Sequence, residues 1–372
     1  MAQTYIAPNT TAAQLVPKIF SAKLFTQSLG ESFFLSKFAT NDFVRYGDGS
    51  LIGTDPGKPI QLLRDLEKTN GDTIQYDLVT DIKGDAVYGD NQAKGKEASL
   101  TFGLDQVHID QVRRGINAGG RMTRKRTKHD LRMVARQRLE RWFARFYDEA
   151  ITCYLAGTRG EGTAQWVLPT SWTGFAGNSL ELPDTAHGVT VDSGGSISHT
   201  KTDADTFKLS WLEKLELHLS TLDVPMNPIY VGSKPYYILI LSPWAVEQLR
   251  TDTSTNSWID IQKSAGARGQ ENPIFQDSLG VYGRFILHKY SKIPVTTASS
   301  VQYSHNLLLG AQAGVIAFGD AGGQFSIRWH EEPDDRGNQL VVTAGAILGV
   351  KKCRFNIDNT DFGCMTVWSK NA

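Results

Sequence analysis

The residues that could do chemistry are present, but their spacing argues against catalysis. The histidines, His108, His129, His187, His199, His218, His288, His305 and His330, are scattered, and no pair of them stands in a metal-ligand motif. His218 lies among leucines, where an edge or satisfied core histidine is expected rather than a ligand. The acidic pairs Asp203/Asp205, Asp334/Asp335 and Asp358/Asp361 have the residue type that binds a cation or shares a proton. Their loop-like surroundings predict solvated turn residues instead. Cys153, Cys353 and Cys364 are odd in number and fit no metal spacing. Cys153 is expected to be a small buried hydrophobe, and the three together predict a reduced, cytosolic folding environment. There is no G-x-S-x-G elbow, Walker A loop, H-E-x-x-H pair or Rossmann fingerprint. Gly47-Asp48-Gly49 with Gly53 has the wrong spacing and follows no strand. The chain is therefore expected to be no enzyme, with no catalytic residue, cofactor or metal.

What remains is electrostatic. Between Arg113 and Arg145 there are 12 basic residues, opposed only by Asp130 and Glu140. That is a local charge of +10 in a chain whose net charge is zero, so the rest carries −10. Arg113, Arg114, Arg121, Arg124, Lys125, Arg126 and Lys128 form its entrance. Two roles fit such a run. It could contact the phosphates of nucleic acid, or it could meet carboxylates on neighbouring chains. Aromatic residues are not interleaved with Arg121–Lys128, which argues against base readout. Subunit-facing charge is the preferred role, and nucleic-acid contact the second.

The element that must carry these charges is a helix. From Thr127 to Ala156 the apolar residues recur at steps of one, three or four, the spacing of one helical face. Leu139, Trp142, Phe143, Phe146 and Tyr147 head the predicted buried stripe. Thr127 and Asp130 resemble a capping box, and Gly157 supplies a stop. About 30 residues at roughly 1.5 Å each make a rod of about 45 Å, a spine on which other parts hang.

Around it the sequence predicts an α+β protein. Residues 1–70 show no clean period and read as an extended arm. Residues 71–112 read as a two-stranded ribbon: Ile74, Tyr76 and Leu78 alternate, then Leu100, Phe102 and Leu104, and a phase slip after Leu104 predicts a bulge. Lys83 to Glu97 would form its long tip. A ribbon is marginal alone and should lie on another surface, including that of another chain. Thr158–Thr202 has weak periodicity, with Trp166 and Trp172 ordering it by packing. A second helix is expected at about Asp205–Leu222. Then come strands at Ile229–Ser233 and Tyr236–Ser242, a helix starting at Ser242-Pro243, and a short helix at Trp258–Ala265. Further strands are expected at Tyr282–Lys289, Asn306–Ala311, Gln324–His330, Leu340–Val350, Lys352–Ile357 and Met365–Ser369. The longest strongly apolar run, Tyr236–Leu241, is far shorter than the ~20 residues of a membrane span, and no signal peptide is expected.

This order of parts resembles the Hong Kong 97-type fold of tailed-phage major capsid proteins. The wording is similar to the group typified by the podophage N-four capsid protein. The segments that carry the likeness are Lys68 to Ile74, Tyr88-Gly89-Asp90-Asn91 with Gly95 and Glu97, and Asn272-Pro273-Ile274-Phe275. Leu279 to Tyr282, Asn306 to Ala313, Gly345 to Lys352 and Asp361-Phe362-Gly363 complete it. The resemblance implies an N-terminal arm (1–70), an E-loop hairpin (71–112) and a P-domain (113–225) with its spine at about 127–156. It also implies an A-domain (226–322) and C-terminal strands (323–372) returning to the P-domain. Tyr88, Asp90, Asn91, Lys94 and Lys96 would make contacts at the E-loop tip. It further implies an icosahedral shell of hexamers and pentamers around double-stranded DNA, found in the virion and assembled in the host cytoplasm. Partners would be a scaffolding protein, a portal at one vertex and, in some shells, a decoration or cement protein, with no membrane. Two other roles fit the same features less well: an encapsulin-like compartment, and a monomeric nonspecific nucleic-acid-binding protein.

Overall fold

The computed structural model describes residues 23–25, 27–39, 58–63, 71–79, 86–88, 102–128, 130–162, 166–222, 225–231, 233–252, 279–319, 327–354 and 360–371. The spine helix runs Leu131–Ala156, 26 residues, about 39 Å at roughly 1.5 Å per residue. It starts later than its period suggests. Asp130 is the N-cap, and its side chain accepts from the Arg132 and Met133 amides. Thr127 is not part of that cap; it closes a separate six-residue helix, Arg121–Arg126, and its hydroxyl donates back to Thr123 O. Gly157 ends the spine with φ 71°, and a Cβ there would lie 2.2 Å from Glu181 O.

Two sheets flank the spine. The first centres on the 14-residue strand Gln339–Lys352. It pairs antiparallel with Asp110–Gly120, Ile327–Asp334 and Gly314–Phe318. Ile60–Leu63 adds on parallel to Gly314–Phe318. The inward residues Val342, Ala344, Ala346, Leu348 and Val350 pack in one core with Leu139, Phe143 and Tyr147 of the spine. The strand Asp110–Gly120 was hidden in the arginine run. Its inward positions are Val112, Arg114, Ile116 and Ala118, so a cation interrupts the apolar alternation.

Among the described residues the second sheet has nine strands, with Lys234–Leu241 between Phe285–Lys289 and Val301–Leu309. Its two faces belong to two cores. Ile238 and Ile240 pack on the spine side; Leu239 and Leu241 pack with helices Ser210–Thr221 and Pro243–Thr251. Burial on both faces explains why Tyr236–Leu241 is continuously apolar. Ser242 caps the second of these helices by accepting from Ala245 N, with Pro243 at its first turn. The strand Cys364–Lys370 pairs parallel with Gly188–Val191, inside the range expected for the P-domain, and Cys364 Sγ lies 3.4 Å from Leu155 O of the spine. It also pairs antiparallel with Val301–Leu309 in the nine-stranded sheet.

The ribbon pairs Thr73–Val79 with Phe102–His108 in unbroken register, so the predicted bulge after Leu104 is absent. The phase slip has another cause. Asp105 points inward, 3% exposed, while Leu104 points outward, 54% exposed. A partnered carboxylate occupies what the pattern reserves for a hydrophobe. The expected helix at Trp258–Ala265, the tip apart from residues 86–88, and the strand beyond Arg354 lie outside the described residues. Among the described residues, no helix is long and apolar enough to cross a membrane.

Candidate functional site

The basic run is spread over three elements rather than one. Arg113 and Arg114 lie on the strand Asp110–Gly120, Arg121, Arg124, Lys125 and Arg126 on the short helix, and Lys128 in the link to the spine. Strand alternation sends the first two to opposite faces. The Arg114 guanidinium lies 6.0 Å from the centre of the Trp142 ring, on the spine side. Arg113 is on the other face, beside Gly345, where a Cβ would meet its Cγ at 3.0 Å. Arg328 flanks the same glycine from the opposite strand.

The short helix is fastened to the turn after Asp334. Arg121 N–H donates to Asn338 Oδ1 at 3.2 Å, and Arg124 Nη2 donates to Asn338 O at 3.2 Å. Further along, Arg132 pairs with Glu331 at 2.5 Å, and Arg136 with Glu140 at 3.1 Å, the latter pair buried. Among the described residues, Arg113, Arg114, Arg121, Arg124, Lys125, Arg126 and Lys128 form no ion pair within the chain. The same holds for Arg138, Arg141 and Arg145, which are exposed along one side of the spine. Like charges at helical spacings of three and four repel by a few tenths of a kcal/mol each. A face of this kind favours an anionic partner outside the chain.

The inner side of the spine is packed. Leu139, Phe143, Phe146 and Tyr147 are buried. Trp142 is half-buried, stacked on Phe146 with centroids 5.3 Å apart and planes at 11°. It borders an open apolar cavity of about 310 Å³, with Val112, Val167, Trp172 and Phe175. Trp172 meets Tyr154 edge-on at 5.6 Å.

Helical periodicity gave no warning that the spine buries acids. Asp148 accepts from Ser32 Oγ at 2.6 Å, Phe33 N at 3.0 Å and Phe34 N at 3.1 Å. These donors come from the start of the helix Phe33–Lys37, so a carboxylate fixes the arm segment to the spine. Burial pushes the Asp148 carboxyl up to about 6, against the pull of those hydrogen bonds. Glu149 is fully buried; its Oε2 accepts from Val167 N at 2.6 Å and Leu168 N at 3.0 Å, and its Oε1 pairs with Lys292. The available signal was positional: two acids adjoin Tyr147 and Ala150 inside the apolar stripe.

A second ionic cluster anchors the ribbon. Asp105 receives Tyr76 Oη at 2.5 Å, Lys351 Nζ at 2.5 Å and Arg354 N at 3.1 Å. Arg354 and Lys352 in turn hold Asp361, each at 2.8 Å. At the ribbon tip, Tyr88 is 76% exposed. Asp90, Asn91, Lys94 and Lys96 lie outside the described residues.

Comparison with known proteins places this geometry. The model of a family described as phage capsid protein matches residues 10–372. The major capsid protein of Pseudomonas phage KPP25 is 26% identical over 344 residues, covering 85% of this chain and 89% of that one. The capsid of Ralstonia phage GP4 superposes with a TM-score of 0.77 at 35% identity, covering 92% of this chain and 91% of that chain. The capsid of cyanophage Pam1, 20% identical with a TM-score of 0.65, covers 90% of this chain and 94% of its own; it shares the fold.

Proposed function

The chain belongs to the phage capsid protein family, and on that premise we propose how its surfaces are used. It is a phage major capsid protein, a structural component of the virion shell with the Hong Kong 97-type fold. Copies of it assemble into that multimeric shell. In our reading, hexamers and pentamers close into an icosahedral container for double-stranded DNA. A scaffolding protein guides assembly in the host cytoplasm, a portal occupies one vertex, and a decoration or cement protein can bind outside.

Residues 1–70 act as the arm, 71–112 as the E-loop, 113–225 as the P-domain and 226–322 as the A-domain. The C-terminal segment 323–372 serves both units. Its strands Ile327–Asp334 and Gln339–Lys352 support the spine, and Cys364–Lys370 supports the A-domain sheet.

The observation that carries the interchain role is the set of cations Arg113, Arg114, Arg121, Arg124, Lys125, Arg126 and Lys128, with Arg138, Arg141 and Arg145, which form no ion pair among the described residues. In a closed shell such cations meet acidic surfaces of adjacent copies, and many weak contacts sum to a stable assembly. Nonspecific phosphate contact with packaged DNA is the second use of the same charge. The test is to express the chain and image it by negative-stain electron microscopy. Closed shells or capsomer sheets are expected. Dispersed monomers under all conditions, with salt-sensitive DNA affinity, would replace this reading with a monomeric nucleic-acid-binding role. Nucleic acid inside native particles separates a genome container from an enzyme-filled compartment.

A further inference from the structure

We propose that Arg354 couples the ribbon to the second sheet, so that loosening one of them loosens the other. The coupling runs through a continuous set of ionic and hydrogen-bonded contacts that begins at Asp105 and ends at the strand Cys364–Lys370.

The route starts at the foot of the ribbon. Asp105 receives the Tyr76 hydroxyl, Lys351 Nζ and the Arg354 amide. The ribbon also lies hard against the strand Gln339–Lys352: a Cβ on Gly349 would stand 2.0 Å from His108 O. Strand alternation then carries charge through to the other face. Lys351 meets Asp105, whereas its neighbour Lys352 meets Asp361 at 2.8 Å, with side chains 2% and 1% exposed.

Arg354 belongs to both sides. Its amide serves Asp105, while its guanidinium grips Asp361 Oδ1 through Nε at 2.9 Å and Nη2 at 2.8 Å. The same Nη2 donates to Leu182 O at 2.8 Å. Asp361 passes the route on. Its N–H donates to Asp184 Oδ2 at 2.9 Å, and Asp184 N–H donates back to Asp361 Oδ2 at 3.3 Å. Asp184 Oδ1 accepts from Ala186 N at 2.9 Å and His187 N at 2.7 Å. His187 O accepts from Thr366 N at 2.8 Å, on the strand Cys364–Lys370 of the second sheet.

These groups move together because none can leave alone. Withdrawing one partner of a buried ion pair leaves the other charge uncompensated in a medium of low dielectric. A shift at Asp105 is therefore passed along rather than absorbed. Members of one hydrogen-bond and ion-pair network respond non-additively to substitution, and a coupling between two places is felt equally from either end. The planar fork of Arg354 is needed for this, since an ammonium is a point charge without that fork. A surface that grips the ribbon thereby also acts on the second sheet. The coupling lies within one chain and does not depend on how copies meet.

Hydrogen exchange of the full-length, unassembled chain tests the coupling from both ends. Asp184→Asn should accelerate exchange of Thr73–Val79 and Phe102–His108 by roughly threefold or more, and Asp105→Asn should do the same to Gly188–Val191 and Cys364–Lys370. The strand Ile327–Asp334, off the route, should keep its rate in both variants. In an Arg354→Lys background, adding Asp184→Asn should leave the ribbon no faster than Arg354→Lys alone. Loosening confined to the substituted end would overturn the coupling, and so would equal acceleration of Ile327–Asp334, which marks global destabilisation. A distant response that persists with Arg354→Lys would overturn the role of Arg354. Should either carboxylate variant fail to fold, His187→Gln and Lys351→Met disturb the same two ends more mildly, and the same readings decide.

Discussion

Lys351 Nζ lies 2.5 Å from Asp105 Oδ1, and the pair ties the ribbon to the central strand of the spine's sheet. The two partners are not equally buried. The Asp105 side chain is 2% exposed and that of Lys351 17%. A lysine that loses its partner can reach water along its flexible stem, but a buried carboxylate cannot.

Lys351→Met is therefore expected to destabilise more than Asp105→Asn. Removing one partner of a buried pair costs about 3–5 kcal/mol, and the partial exposure of Lys351 lowers this to about 2 kcal/mol here. Urea unfolding of the unassembled chain measures the difference. Equal midpoints for the two variants would remove the asymmetry.

His305 makes the core sensitive to acid. Trp368 Nε1–H donates to His305 Nδ1 at 3.2 Å, so His305 Nε2 carries the proton and donates to Thr296 Oγ1 at 2.8 Å. Burial, with a smaller contribution from Lys201, lowers its pKa to about 3 from the ordinary 6.5. A depressed histidine stabilises the fold while it stays neutral, above about pH 6.5, and that contribution is lost as pH falls from 6.5 towards 3. The slope is at most about 1.4 kcal/mol per pH unit. Between pH 7 and pH 5 the unaltered chain should lose more stability than His305→Gln. Parallel pH profiles would show that His305 does not carry the effect.

Charge reversal should separate assembly from folding. Lys125 and Arg126 are exposed, with no ion pair among the described residues. Arg124 is half-buried and holds Asn338 O, so reversing it tests packing as well as charge. Lys125→Glu/Arg126→Glu should change folding stability by no more than about 0.5 kcal/mol. Particle yield, read by sedimentation, should fall by roughly tenfold, the equivalent of about 1.4 kcal/mol. Normal shells from the double variant would clear this patch of any role in assembly.

Gly157→Ala should be among the most damaging single-methyl changes. The residue combines φ 71° with a backbone oxygen 2.2 Å from the new Cβ. The αL penalty alone is about 1 kcal/mol, and the clash adds to it. Thermal unfolding reads the loss. A melting temperature equal to that of the unaltered chain would mean that Glu181 moves away at little cost.

Asp148 holds the arm segment by three hydrogen bonds. Asp148→Ala leaves the Phe33 and Phe34 amides unpaired, at about 1–3 kcal/mol for each buried group. Hydrogen exchange of residues 33–38 should accelerate in the variant while that of Tyr236–Leu241 stays slow. Unchanged protection at Phe34 would mean that the aromatic contacts of Phe33, Phe34 and Phe38 suffice.

Local patterns determined much of this protein. The 3.6-residue period placed the spine, Ser242-Pro243 placed a helix start, Gly157 placed a helix end, and the unbroken run Tyr236–Leu241 announced a strand covered on both faces. These features depend on neighbours a few residues away, which a sequence displays directly. Only the tertiary structure decided the rest. It put Asp105, Asp148 and Glu149 indoors, because Ser32, Phe33 and Phe34, 114 to 116 residues away, compensate Asp148, Lys351 and Arg354, 246 and 249 residues away, compensate Asp105, and Lys292 compensates Glu149. It parted Arg113 from Arg114, because their strand pairs with one more than 200 residues later. It sent Cys364–Lys370 to the second sheet, where Val301–Leu309 offered an open edge in register. A carboxylate's burial and a strand's partner are set by free energies of contacts distant in the chain, and no period in the sequence records them.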